Sequence, residues 1–514
     1  MNSFPLRHIL AAFAFLSAAL SAHAAESYRE PWRPQFHFTP ATNWMNDPNG
    51  MVFYEGEYHL FYQFNPFGDK WGHMSWGHAV SKDLVRWEHL PIALYEENDI
   101  MIFSGSAVVD WKNTSGFGKS GKPPLVAIYT GHYTKKPLQN QQIAYSNDRG
   151  RTWTKYSGNP VLDLGEKDFR DPKVMWHEPT KRWVMVVSLP LQRKVRFYSS
   201  PNLKDWTHLS DFGPDGSTKG IWECPDLLPL AVEKKRGQHK WALIVNVGSG
   251  APAGGSGCQY FIGEFDGKQF ALDPSFPGGK DVALWADWGR DFYAAVSWND
   301  IPKRDGRPLW LGWMSNWEYA NAVPTSPWRS AMSIPRELTL RETTDGLRLI
   351  QAPARELRKL RGQHYHRGGG TVGETTDWLQ RKGVSGDCLE IEVEFETIGS
   401  ANFGLKVRQG KNEETVIGCD PSNNRLFLDR TRAGKTDFHP NFAGSYDAPL
   451  RTRDGRVHLR IFVDSSSVEV FVNDGEAVLT ALVFPASASR NVEFWAASGA
   501  QINRIDLWKL HSSW

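Results

Sequence analysis

A chain of 514 residues has room for about two to four domains, and its 40% hydrophobic and 23% charged residues exclude a disordered or fibrous protein. A net charge of +2 removes the electrostatic reason to expect nucleic acid or an anionic membrane as a partner. Tryptophan is the outlier, with 23 residues. Indole faces stack on sugars, so the excess points to carbohydrate, although most of these rings are expected to pack between strands.

In chain order, Arg7 and His8 precede the apolar run Ile9–Leu20, and Ala22-His23-Ala24 supplies a small-residue cleavage pattern. Residues 1–24 read as a signal peptide, with the mature chain starting near Ala25. The run is too short to span a bilayer and no later segment is long and uncharged enough. The expected product is exported, periplasmic or secreted, and free of the membrane. Four cysteines, Cys224, Cys258, Cys388 and Cys419, are too few for a disulfide framework. Cys388 with Cys419 is the one pairing to test, and their spacing fits no common zinc pattern.

Trp44-Met45-Asn46-Asp47-Pro48-Asn49-Gly50 places an acid between two asparagines at an expected Pro/Gly turn. A hairpin follows, with Met51–Tyr54 and Tyr58–Tyr62 flanking Glu55-Gly56-Glu57. Leu125–Tyr129, Trp183–Val187, Trp241–Val245 and Leu309–Met314 are further apolar strands, and long helical periodicity is missing to about residue 350. Ser81/Asp83/Trp87 recurs as Ser146/Asp148/Trp153 and as Ser200/Asn202/Trp206, with starts 65 and 54 residues apart. In each, the Asx side chain can cap its own turn and the indole can pack beneath it. Repeated all-β units of about 60 residues over roughly 320 predict a five-bladed β-propeller across residues 30–350. The Tyr260–Gly267 hairpin falls in its fourth blade and the stretch from Trp310 in its fifth. Residues 351–362 form a basic, helix-compatible linker. Beyond it, Leu389–Phe395, Val457–Val463 and Val468–Val472 alternate apolar and charged residues, the last turning at Asn473-Asp474-Gly475. This predicts a β-sandwich over residues 363–514.

Three acids carry candidate chemistry. Glycoside hydrolysis generally uses one ionised carboxylate and one carboxyl group that keeps its proton. Asp47 suits the first role, because Asn46 and Asn49 can donate to an anion and lower its pKa. Glu223 suits the second, because Ile221, Trp222, Cys224 and Pro225 form an apolar neighbourhood. Asp171, beside Arg170, reads as a charge-paired acid that holds hydroxyls. Taken singly, each has a structural reading: Asx-Pro-Asx-Gly is ordinary turn chemistry, Asp-Pro is common in loops, and Glu223 could end a strand at the rim. Their order matters more, since blades one, three and four would deliver them to one central funnel. Asp83, Asp148 and Asn202 belong to the turn repeat and are assigned no chemistry. Gly116–Lys122 imitates a phosphate loop, but Pro123 stands where Ser or Thr is required and a strand follows.

These motifs, with Phe103-Ser104-Gly105-Ser106, Trp71-Gly72, Trp76-Gly77-His78, Asp291-Phe292-Tyr293-Ala294, Trp313–Trp317, Trp328-Arg329, Pro335–Leu338 and Asp464–Phe471, resemble glycoside hydrolase family 32, the invertases, inulinases and levanases. The resemblance runs from about Gln35 to the C-terminus. It implies a retaining, two-step attack on β-fructofuranosides. Asp47 would be the nucleophile, Glu223 the acid and then base, and Asp171 the transition-state stabiliser. Asn46, Gln63, Trp71, Phe103, Ser104, Arg170 and Trp313 would line the terminal-fructose pocket, with Trp313 preferred over Trp317 as the sugar-facing indole. No cofactor or metal is implied. Within the family, Phe36–Pro40 and Ser104–Asp110 followed by Asn113–Gly118 look most like bacterial exo-acting fructanases. The expected substrate is levan or inulin, with some sucrose. A sucrose-specific invertase, an endo-levanase and a non-catalytic fructan-binding protein stay open as alternatives. A sialidase is disfavoured by the order Asp, Arg-Asp, Glu. The sandwich is read as structural rather than polymer-binding.

Overall fold

The computed structural model describes residues 28–277, 282–397, 401–497 and 500–514; the expected signal peptide lies outside them. Short turns let each strand pair antiparallel with its sequence neighbour, and the chain builds five such sheets in succession. The first holds Asn43–Tyr54, Glu57–Asn65, Ser75–Ser81 and Trp87–Leu94; the second Ile100–Val109, Leu125–Tyr133, Leu138–Ser146 and Thr154–Lys155. The third holds Arg170–His177, Arg182–Leu189, Lys194–Ser200 and Thr207–Phe212. Trp222–Ala231, His239–Val247, Gly257–Phe265 and Phe270–Leu272 make the fourth; Tyr293–Ser297, Leu309–Met314, Arg336–Thr343 and Gly346–Pro353 make the fifth. The first strand of each sheet packs against the first strand of the next, and the fifth returns to the first, closing a five-bladed propeller. Trp328–Arg329 adds to the inner edge of blade one in parallel with Asn43-Trp44, and Val52 bridges Asn299, which seals the ring.

The turn repeat joins the third and fourth strands of the first three blades. Asp83 Oδ1 accepts from the backbone N–H of Val85 and Arg86, Asp148 Oδ1 from Thr152, and Asn202 Oδ1 from Lys204 and Asp205. The indoles of Trp153 and Trp206 donate to the carbonyls of Gly150 and Leu203 in the same turns. Asp266 caps the equivalent turn of blade four, which lacks the tryptophan.

The expected turn at Asp47 is instead part of the strand Asn43–Tyr54. Register shifts between Met45 and Pro48, and between Asn49 and Val52, absorb the proline and glycine that had suggested a turn. At Gly50, φ is +53°, and a Cβ would lie 2.5 Å from the Phe61 ring, so neither the backbone nor the space admits a side chain.

After Pro353, a 3-10 helix, Arg355–Leu360, leads into two further sheets. One is ordered Arg361–Thr371, Ala500–Leu510, Leu389–Thr397, Arg456–Asp464, Ser467–Val472, Ala477–Leu482; the other Ser445–Pro449, Arg425–Arg432, Glu414–Asp420, Phe403–Gln409, Asn491–Ala496. Their facing apolar residues make one core, with a covering helix, Val372–Arg381, that periodicity did not predict. Its signal was present as Thr371 and Glu374, which form a reciprocal capping box. All four cysteines are free thiols, so the Cys388–Cys419 pairing does not form. Cys419 is buried in the sandwich core, whereas Cys388 belongs to the propeller–sandwich boundary and its thiol donates to Asp464.

Two buried polar clusters join propeller to sandwich. Arg336 donates to Asp287 (3.0 Å) and Gln351 (2.9 Å) on its own side and to Glu469 (2.6 Å) and Thr480 (2.7 Å) on the other. His37 lies between Asp464 (2.7 Å) and Glu469 (3.0 Å). In the second cluster, Arg430 of the sandwich meets Asp291 (2.5 Å) and Tyr319 (2.9 Å) of the propeller. No helix among the described residues is long and apolar enough to cross a membrane.

Candidate active site

All five inner strands carry a register shift near their N-terminal ends. The shifted residues are Asn46-Asp47, Phe103-Ser104, Asp171-Pro172, Cys224-Pro225 and Ala294-Ala295. A bulge breaks the two-residue alternation and re-aims a side chain, so the propeller presents a ring of re-aimed residues at one end of its axis. Asp171 (φ 66°), Cys224 (φ 43°) and Ala294 (φ 52°) are left-handed there, a backbone strain that the surrounding blades must hold in place.

Cys224 ties the three acids together. Its backbone N–H donates to Asp171 Oδ2 (2.9 Å), its thiol donates to Asp47 Oδ2 (3.6 Å), and the residue before it is Glu223. Its carbonyl is fixed by Asn246 Nδ2 at 2.9 Å. Burial and the surrounding carboxylates push the thiol pKa well up, so it stays a donor.

Asp47 is buried. It accepts from Ser104 Oγ (2.7 Å) and Asn46 Nδ2 (2.9 Å), and Asn46 is itself held by the Trp44 indole at 2.7 Å. Asn49 does not join them: its Oδ1 accepts from Gly105 N–H and its Nδ2 has no partner. The expectation that the asparagines lower the pKa of Asp47 is corrected too. Burial raises it, and the Ser104 and Asn46 bonds only offset part of that rise.

The pairing expected between Arg170 and Asp171 is also replaced. Arg170 Nε donates to Glu223 Oε1 (3.0 Å) and Nη1 to Asp168 (2.7 Å). Asp171 stands in the bulge of its strand in a left-handed conformation, which re-aims its side chain, so Arg170 acts on it through charge and not through a hydrogen bond. Glu223 therefore faces a cation rather than the apolar surroundings expected from Trp222 and Cys224. Its other oxygen accepts from the Tyr293 phenol at 2.5 Å, a partner not expected from the sequence, although Tyr293 stands in the Asp291-Phe292-Tyr293-Ala294 motif. Burial and the facing carboxylate keep that phenol protonated. Asp171 is fixed through its backbone, whose N–H donates to Thr130 Oγ1 (2.9 Å). Burial pushes its carboxyl up to about 7, against the opposing charge of Arg170.

The other expected residues divide. Gln63 is buried, with Nε2 on the Ile102 carbonyl at 3.0 Å. Phe103 stacks on His132 at 4.4 Å, and the Trp71 indole, 41% exposed, meets its edge at 6.1 Å. Trp313 is fully buried between Trp44, Tyr293 and Trp317, so this structure does not bring it to the surface of the funnel. Trp317, partly exposed and stacked on Trp44 at 6.2 Å, is the indole with accessible area. Below the acids the axis is plugged: Lys173 donates to the Ser297 carbonyl (2.5 Å) and pairs with Asp226 (3.4 Å). What remains is a blind, carboxylate-lined funnel with fixed donors.

Residues 37–353 match the sequence model of the glycosyl hydrolases family 32 N-terminal domain, and residues 356–509 that of the family 32 C-terminal domain. The chain belongs to glycosyl hydrolase family 32. It is 54% identical to a levanase of Bacillus subtilis over 97% of this chain and 74% of that protein. It is 41% identical to an extracellular exo-inulinase of Aspergillus awamori over 95% of this chain and 96% of that one. A crystal structure of exo-inulinase from Aspergillus awamori superposes with a TM-score of 0.87 at 39% identity, covering 95% of this chain and 100% of that one. The β-fructofuranosidase of Schwanniomyces occidentalis complexed with fructosyl-erythritol superposes with a TM-score of 0.84 at 31% identity, over 95% and 99%. The split of the family 32 match falls just before the 3-10 helix Arg355–Leu360.

Proposed function

We propose that this family 32 chain is an exported exo-β-fructosidase that releases terminal fructose from β-fructans, levan or inulin, and also cleaves sucrose. The observation that carries the reading is the convergence of Asp47, Asp171 and Glu223 about Cys224 at the mouth of a blind funnel. The exo-inulinase relative supports exo action. The levanase and exo-inulinase relatives support the substrate class, and the extracellular description of the latter supports export; cleavage near Ala24 rests on the Ala22-His23-Ala24 pattern alone.

In this mechanism Asp47 attacks the anomeric carbon of the terminal fructose, and the bond to the leaving oxygen breaks as Glu223 gives that oxygen its proton. A fructosyl ester on Asp47 results. Glu223, now a carboxylate, takes a proton from water; the water oxygen attacks the anomeric carbon and Asp47 leaves, restoring both groups. Ser104 and Asn46 hold the nucleophile and favour its ionised form in a buried place. Arg170 and Tyr293 orient Glu223 and stabilise the charge it carries after giving up its proton. Asp171 holds fructose hydroxyls through the oxocarbenium-like transition state.

A product time course on levan, inulin and sucrose tests this. Free fructose as the only early product from a polymer is the expected result. Early short oligosaccharides would make the enzyme endo-acting, and turnover of sucrose alone would make it an invertase. No product from any of the three would leave a fructan-binding protein. Glu223→Ala should lose less activity on a substrate whose leaving group needs no proton, and equal losses on both substrate types would remove Glu223 from the acid role.

A further inference from the structure

We propose that the end of the propeller axis opposite the acids carries a second, non-catalytic site for a neutral fructan chain, built on Trp111. The ligand class rests on the fructan reading above.

The inner strands all start at the acid end. Val109, Met175 and Asn299 therefore lie at the far end, where they line a cleft. Asn299 Nδ2 donates to the carbonyls of Ala107 (2.8 Å) and Val174 (3.0 Å), which closes the axis there and separates the cleft from the funnel.

Trp111 is 60% exposed, yet it is not a loose surface ring. Its Nε1 donates to Asp300 Oδ1 (2.9 Å), and Asp300 Oδ2 accepts from the Val109 N–H (2.9 Å). One carboxylate thus clamps the indole to the blade with a face left in water. A packing role would bury that face, whereas a pre-set aromatic face is what a sugar ring stacks on. A second indole, Trp176, lines the same cleft, with Nε1 held by Glu178 and the Lys112 ammonium 4.4 Å from its ring centre. The charged residues of the lining are Lys112 and Lys303 against Glu178 and Asp300, two of each sign. An apolar floor with a polar rim of no net charge suits a polyhydroxylated neutral chain and offers no selectivity for an anion or a cation. A site here would hold the enzyme on a polymer while the funnel removes ends from neighbouring chains.

The test uses the full chain carrying Asp47→Ala, so that polymer is not consumed, in affinity electrophoresis through levan and inulin gels with excess fructose filling the funnel. Retardation by polymer should persist, and adding Trp111→Ala should weaken it by about tenfold, the scale of one lost aromatic contact. In the otherwise native chain, Trp111→Ala should lower kcat/KM on polymer and leave sucrose turnover unchanged. Retardation that fructose abolishes, retardation unaffected by Trp111→Ala, or a parallel loss on sucrose would each overturn the proposal. Oxidative footprinting of the Asp47→Ala chain reads the same face with Trp111 intact: protection by levan or inulin but not by fructose is expected, and unchanged oxidation would refute it. If the native chain releases fructose from polymer while Trp111 stays unprotected, only this inference fails and the fructosidase reading stands.

Discussion

Replacing His37 with glutamine should make the stability of this protein respond differently to alkaline pH. The ring is fully buried, with Nδ1 2.7 Å from Asp464 and Nε2 3.0 Å from Glu469. Both nitrogens face acceptors, so the protonated form fits. Burial alone would lower its pKa, but the hydrogen bonds and charges of the two carboxylates outweigh it and raise the value from 6.5 to about 9. Arg336 also holds Glu469, and the Cys388 thiol donates to Asp464, so neither acid loses every partner when His37 is replaced. The folded chain keeps a proton that the unfolded chain releases above about 6.5. The stabilisation is therefore complete below that pH and is lost as pH rises through about 9. At about 1.4 kcal/mol per unit this is about 3 kcal/mol. For roughly 490 mature residues, an unfolding entropy of about 2.1 cal/mol/K per residue converts it to about 3 °C. Calorimetric melts at pH 6 and pH 9.5 check it. His37→Gln should melt about 3 °C below the native chain at pH 6, with the gap closing at pH 9.5. An equal gap at both values would refute the imidazolium bridge between propeller and sandwich.

Asp171→Asn should abolish most fructose release, by about a hundredfold or more. It should also raise the melting temperature above pH 7, because a carboxyl raised to about 7 destabilises the fold as pH climbs from about 4 towards 7. A variant no more stable than the native chain there would contradict the raised carboxyl. Trp313→Ala should cost about 3–5 kcal/mol in denaturant unfolding, as removal of a fully buried indole does. Trp317→Ala should mainly raise KM for fructan, and the opposite pattern would restore Trp313 as the sugar-facing ring. Gly475→Ala should destabilise by about 2 kcal/mol or more, since φ is +94° and the new Cβ would lie 1.9 Å from the Gln351 carbonyl. Unchanged urea unfolding would mean that the turn yields without loss of the propeller–sandwich contact.

What was legible in the chain was local or repeated. The Ser/Asx/Trp turns recur because each blade must solve the same problem, a tight connection before its last strand, and their capping atoms lie within a few residues. Their spacing, set against the length of the all-β region, yields the blade number and hence the blades that carry Asp47, Asp171 and Glu223. Alternation predicted the first sandwich sheet, but the second went largely unread, and the helix Val372–Arg381 was hidden although Thr371 and Glu374 marked its start. Arg336, Asp464 and Glu469 were legible as motif members but not as the lock between propeller and sandwich, because their partners are more than 130 residues away.

The sequence by itself determined the fold class and the family and singled out the three acids that the fold brings together, since composition, repeat spacing and ordered motifs are one-dimensional properties. Only the tertiary structure decided how those acids are held. Arg170 donates to Glu223 across 53 residues and reaches its neighbour Asp171 only through its charge. Asp47 leans on Ser104 and Cys224 and not on Asn49, and Tyr293 reaches Glu223 from the last blade. The physical reason is that strand neighbours face different sides while bulges re-aim single residues. Charges therefore find their partners across the axis of the propeller, and burial, which no sequence displays, sets which protons stay bound.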